Sequence, residues 1–223
     1  MANTIRGLGL QEQVSYLVEN ASSWIMNQRT IHRALAKPLS ETTLAALHGF
    51  FSQDTLDRVK VRRVPLIENP PFYSAFEDEG ENVPLSFDVW AAITFGDVIL
   101  VSESQAPGPL SHSILFHELI HVVQYKILGV NEFARRYVNS FLQSGLNYMT
   151  IPLESVAFDL QGRFEKCEGK KFSAEDEVQS RLFVPGLPYA GRNDWPCPIK
   201  GKSRVSVIEP DAFLIISSQI LNL

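Results

Sequence analysis

The sequence predicts an α+β fold, β-rich stretches leading into a buried central helix, with a mostly helical remainder. Three observations carry that expectation. Apolar residues recur at three- and four-residue spacing near the N-terminus; residues 91–102, AAITFGDVILVS, are dense in strand-forming side chains; and SILFHELIHVVQYKIL runs to Gly129 without a breaker.

Taken in order, Leu10, Val14, Leu17, Val18, Ala21, Trp24 and Ile25 make the stripe of a first helix, because side chains three and four apart share a face. Pro38 ends that pattern. Ser40 can then cap a second helix carrying Thr43, Leu44, Leu47 and Phe50. Residues 59–67, VKVRRVPLI, read as extended, with Pro65 marking an edge position or a strand end, since proline donates no ladder hydrogen bond. Segment 68–86, rich in proline, acidic residues and glycine, reads as a long surface loop. Gly96-Asp97 splits the next stretch and leaves Val98 to Val101 as a buried strand.

Pro107-Gly108-Pro109 then marks a loop, Ser111 or Ser113 supplies a helix cap, and Gly129 is a natural stop. Ile114, Leu115, Phe116, Leu119, Ile120, Val122 and Val123 leave this helix little polar surface, so it belongs at the centre. A further helix covers residues 131–141. After a loop containing Gly145, Pro152 opens a third helix at its first turn, where a missing N–H costs nothing. Its inward stripe is Leu153, Val156, Ala157, Leu160 and Phe164.

A chain of 223 residues can bury one sizeable core. The expected domain is 1–166, with 1–58 a helical N-terminal layer and 59–166 the sheet and site helices; residues 167–223 form an extension of unassigned role. The character of the chain changes there, with a charged run from Glu165 to Glu177 and then a proline-rich stretch from Pro185 to Pro198. A net charge of −5 and the lack of a basic stripe argue against a nucleic-acid partner. Cys167 and Cys197 lack metal-ligand spacing and indicate no disulfide framework. No run reaches the roughly 20 apolar residues of a membrane span, and the N-terminus lacks a secretory pattern. A cytoplasmic location is the default expectation, with export by another route left open, and the sequence leaves the oligomeric state undetermined.

The central helix carries His117-Glu118-Leu119-Ile120-His121, an H-E-x-x-H pattern. Residues four apart on a helix are offset by only about 40° around its axis, so both imidazoles project from one face and can grip one ion. Zinc accepts imidazole nitrogens and, in catalytic sites, takes three protein ligands with one position left for water. Glu118, beside the first ligand, can accept a proton from that water. The bland alternative, three polar residues on an exposed helix side, sits poorly with so many large apolar neighbours.

A third ligand must come from elsewhere. Gln124 and Ile127 stand where a metzincin would place its Gly and third His, so that class is excluded. His32, His48 and His112 all lie upstream, and His112 reads as a surface or substrate-side residue. Of the downstream carboxylates Glu132, Glu154, Asp159, Glu165 and Glu168, Glu132 reads as compensating a helix dipole. Glu154 is better placed, opening an inward-facing helix after a loop long enough to return it against the first; the alternative is an ordinary N-terminal helix carboxylate. Tyr148 and Tyr137 are candidate donors to an oxyanion, each with an alternative as a packed tyrosine whose hydroxyl is satisfied. Tyr125 is a candidate supporting residue, and Arg135 and Arg136 are either carboxylate-binding or a solvated face.

The stretches ITFGDVILVS, ILFHELIHVVQYKILG, FARRYV and IPLESVAFDL resemble zinc metallopeptidases of the zincin-like fold, in the compact gluzincin group that includes thermolysin-like enzymes. The resemblance covers residues 59–166, and H-E-x-x-H is its specific element. It implies a zincin-like fold with a small mixed β-sheet whose edge strand, within Thr94 to Ser102, lies beside the central helix and receives an extended peptide beside the strand at 98–101. It also implies one zinc ion held by His117, His121 and Glu154, with Glu118 as general base. One departure stands out: thermolysin-like enzymes place an Asp four residues after the ligand Glu, where this chain has Phe158, with Asp159 one later. The expected activity is peptide-bond hydrolysis on a peptide or protein substrate. The competing expectation is a zincin-like module that binds metal but serves in interaction or structure.

Overall fold

The structure, a computed structural model, describes residues 9–73, 85–144, 147–166 and 170–183. Helix α1 (Leu10–Arg33) follows the predicted stripe. Ile25 is buried, and Trp24 meets Phe95 edge-on with ring centroids 4.9 Å apart and stacks on Phe87 at 5.4 Å. The strand β1 (Lys37–Pro38) follows directly.

The second predicted helix is two. Helix α2 (Glu41–Leu47) starts on Ser40, whose hydroxyl accepts the Thr43 amide at 3.2 Å, and α3 (Gln53–Arg58) starts on Ser52. Between them Gly49 adopts φ of 85°, a left-handed turn that no continuous helix passes. Phe50 therefore falls in the connection, not in a helix, and turns inward against Phe116, Phe164 and Phe172.

A four-stranded sheet forms next, in the order β1, β2 (Lys60–Val64), β4 (Val98–Ser102), β3 (Ala92–Phe95). Strands β2 and β4 run parallel, with Val61 opposite Ile99, while β3 and β4 form an antiparallel hairpin with Phe95 opposite Val98. Gly96 supplies the positive φ of 66° in the hairpin turn, and Arg29 and Arg33 from α1 clamp Asp97 at 2.7 and 2.6 Å. Pro65 lies just past the end of β2. The strand at 98–101, expected to receive a peptide, is interior: both of its ladders are filled, by β2 and β3. Among the described residues the terminal strand on that side is β3.

Strand β4 is buried on both faces, which explains its uninterrupted apolar reading. Ile99 and Val101 pack with Leu115, Phe116, Leu119 and Val123 on one face, while Val98 and Leu100 pack with Ile25 and Phe95 on the other. The central helix α4 (His112–Gln143) begins on Ser111, which accepts the Ile114 amide at 3.2 Å. It bends at Gly129, where φ is 73° and ψ is 167°; the predicted stop and the predicted further helix are the two limbs of one kinked rod.

Helix α5 (Pro152–Lys166) returns against α4 with Leu153, Val156, Ala157 and Leu160 buried. A last described helix, α6 (Ala174–Leu182), arises from the charged run. Ser173 caps it, Glu175, Asp176 and Glu177 fill its first turn, and Ala174 and Val178 enter the core. Arg163 of α5 pairs with Glu177 at 2.6 Å. Within the segment 68–86, Asn69 accepts the Phe87 amide at 2.7 Å and Pro71–Tyr73 forms a short 3-10 turn. Residues 74–84, Gly145, Cys167, Glu168, Cys197 and the stretch from Pro185 to Pro198 lie outside the described residues. Among the described residues no helix is long and apolar enough to cross a membrane.

Candidate metal centre

His117 and His121 project from the buried first limb of α4, and Glu154 comes from the first turn of α5. All three side chains are buried, with Glu154 only 2% exposed. His117 Nε2 lies 3.1 Å from His121 Nε2, and the two nitrogens lie 3.3 and 3.4 Å from Glu154 Oε2. Four ligands at zinc bond lengths of 2.0–2.1 Å in a tetrahedron stand about 3.3–3.4 Å apart, because the edge is about 1.63 times the bond. The three atoms match one face of such a tetrahedron.

The protons agree with the distances. Gln124 donates its Nε2–H to the Leu153 carbonyl at 2.9 Å, and a carbonyl can only accept, so the amide oxygen is the atom turned to His121 Nδ1, 2.8 Å away. Gln161 likewise donates to the Ser113 hydroxyl at 2.9 Å and the Glu165 carboxylate at 3.1 Å, turning its oxygen to His117 Nδ1 at 3.0 Å. Both imidazoles therefore carry hydrogen on Nδ1. Their Nε2 lone pairs converge on each other and on a carboxylate oxygen, an arrangement of acceptors that is stable only around a cation. Among the described residues His117, His121 and Glu154 form a group that could hold a metal ion.

Without metal, a proton takes that place. Burial lowers the affinity of His121 for it, but the Glu154 carboxylate outweighs burial, with help from Glu118 and Gln124, and the imidazole is pushed up to about 9. Burial alone would raise Glu154, yet the charge of His121 and hydrogen bonds from both histidines hold it well below the usual carboxylate range.

Glu118 is buried on the same helix, and its carboxylate accepts the Thr94 hydroxyl of β3 at 2.6 Å. Tyr148, in a short turn ahead of α5, donates its hydroxyl to Glu154 Oε2 at 2.6 Å and packs against Trp90. Tyr137 faces the same carboxylate, and burial first, then Glu154, raises its phenol well above the ordinary value. Tyr125 is buried and stacks on Phe133 at 3.8 Å. Phe158 lies against the His117 ring at 4.5 Å, and Asp159 is exposed and paired with Arg181, so the orienting partner of His117 is Gln161, seven residues after Glu154.

The remaining candidates fall elsewhere. Glu132 is paired with Arg135 and Arg136 at 2.7 Å each, which commits both arginines. His112 is exposed at the start of α4, His48 is exposed, and His32 bonds to Gln28 and Arg62. Glu165 is exposed. Sequence reasoning missed Thr94, Gln124, Gln161 and Ser113. The usable signal was spacing: Gln124 is three residues after His121, and Gln161 falls two turns after Glu154 on the same face. The chain matches no protein-family model, no curated protein and no solved structure.

Proposed function

We propose that this protein is a zinc-dependent peptidase of zincin-like, gluzincin type. The observation that carries the reading is the convergence of two Nδ1–H imidazoles and the Glu154 carboxylate beside a second, separately held carboxylate, Glu118. A purely structural zinc site is more often closed by a fourth protein ligand, and among the described residues the group has three.

Zinc held by His117, His121 and Glu154 would supply Lewis acidity to a water molecule and a carbonyl. Glu118 would accept a proton from the attacking water and return it to the amine nitrogen that leaves the carbonyl carbon. Thr94 holds the Glu118 carboxylate on the side facing β3. Strand β3, at one end of the sheet among the described residues, would offer the peptide backbone a partner for β-addition. Tyr148 gives its one hydroxyl proton to Glu154 and so steadies that ligand, which leaves it no proton for an oxyanion while that bond stands.

The decisive experiment compares wild type with Glu118→Gln for bound zinc and for cleavage of an unfolded protein substrate. Equal zinc with cleavage reduced by roughly 10²–10⁴-fold, the usual worth of a general base, supports the reading. Zinc bound by both proteins with cleavage by neither refutes it and leaves a metal-binding module.

A further inference from the structure

We infer that Gln124 is a positioning residue that sets two of the three metal ligands at once, His121 on α4 and Glu154 on α5. The inference rests on the metal centre and not on peptidase activity. One amide spans both helices: its oxygen receives His121 Nδ1–H at 2.8 Å, and its nitrogen grips the main-chain carbonyl of Leu153, the residue directly before Glu154, at 2.9 Å. Gln124 is completely buried, so no water replaces either bond.

The two bonds work together because each fixes the other. The Leu153 carbonyl cannot donate, which fixes the amide's orientation, and that orientation fixes the tautomer and the ring plane of His121. The first turn of α5 is held at the same time, so one side chain ties the His121 ring to the main chain that carries Glu154, whose Oε2 lies 3.4 Å from His121 Nε2. Gln161 does only half as much. It orients His117, but its nitrogen reaches Ser113 and Glu165, which carry no ligand atom of the centre. Gln124→Met and Gln161→Met should therefore differ in kind, although each removes one amide.

The test measures zinc affinity by competition with a chromophoric chelator, the visible spectrum of the Co(II)-substituted protein, and the His Nδ1–H signals of ¹⁵N-histidine-labelled protein. In Gln124→Met, zinc affinity falls roughly 10- to 100-fold, the usual worth of a partner orienting a metal-bound histidine. The Co(II) bands shift, and the His121 Nδ1–H signal is lost or moved. Gln161→Met weakens zinc less, and its spectral change is confined to His117. Circular dichroism of both metal-free variants checks folding; should Gln124→Met not fold, Gln124→Asn, one methylene too short to span both helices, carries the same expectation. A folded Gln124 variant with wild-type zinc affinity and Co(II) spectrum overturns the inference. Intact zinc binding with no proteolysis in wild type would instead count against the peptidase reading alone.

Discussion

Loading zinc at neutral pH must expel a proton, and the structure sets how strongly. In the metal-free centre the Glu154 carboxylate outweighs burial and pushes His121 up to about 9, while Glu154 itself stays ionised far below neutrality. At pH 7 the proton then occupies the metal's place with an advantage of about two pH units. Apparent zinc affinity should be about 100-fold weaker at pH 7 than above pH 9. Its logarithm should rise by about one per pH unit in that window and level off beyond it. Chelator competition across pH 6.5–9.5 reads the slope. Calorimetry at pH 7 in two buffers of different ionisation enthalpy should find about one proton released per zinc. A flat profile, with no proton released, would refute the assignment of an imidazolium to the metal-free protein.

The same shifts govern the metal-free protein's stability. His121 is raised above its ordinary 6.5, so its contribution is full below pH 6.5 and is lost as pH climbs through about 9. Glu154 is depressed from 4.5, so its contribution is present above that value and lost on acidification. Urea midpoints of the metal-free protein should accordingly fall between pH 6.5 and 9. Thr94→Val removes a hydroxyl bond to a buried carboxylate, worth about 1.5–3 kcal/mol; cleavage should drop with zinc content unchanged, and Thr94→Ser should restore it. Gly129→Ala should cost about 1–3 kcal/mol by urea unfolding, because φ of 73° with ψ of 167° is glycine backbone. Nothing lies within 4 Å of the added Cβ, so the cost is backbone strain alone. Asp159→Ala should leave zinc affinity within about twofold of wild type, since Asp159 is exposed and pairs with Arg181; a loss of about tenfold would restore it to the role that the position of Phe158 vacates.

The legible parts of the chain were those written in local periodicity. The stripe of α1, the cap at Ser111, the break in helical backbone at Gly129 and the opening of α5 at Pro152 all follow from residues within a turn or two of one another. Helix α6 escaped notice because its inward stripe is thin, Ala174, Val178 and the half-buried Leu182 at four-residue spacing, and charged residues fill the positions between them. The break between α2 and α3 turned on the left-handed backbone of Gly49. There an added Cβ would come within 2.6 Å of the Lys171 side chain, a contact from a distant part of the chain.

By itself the sequence determined that two imidazoles share one helix face with a carboxylate beside the first, because a fixed angular step per residue turns spacing into direction. It ranked Glu154 above the other downstream carboxylates, but the 3.3 and 3.4 Å approaches exist only because α5 folds back against α4. Tertiary structure alone decided that β4 is interior and β3 terminal, since strand order depends on which ladders pair across the fold. It also decided which oxygen each histidine faces. A hydrogen bond such as that between Gln161 and His117, 44 residues apart in the chain, follows from no local rule, because its partners meet only when separate helices pack.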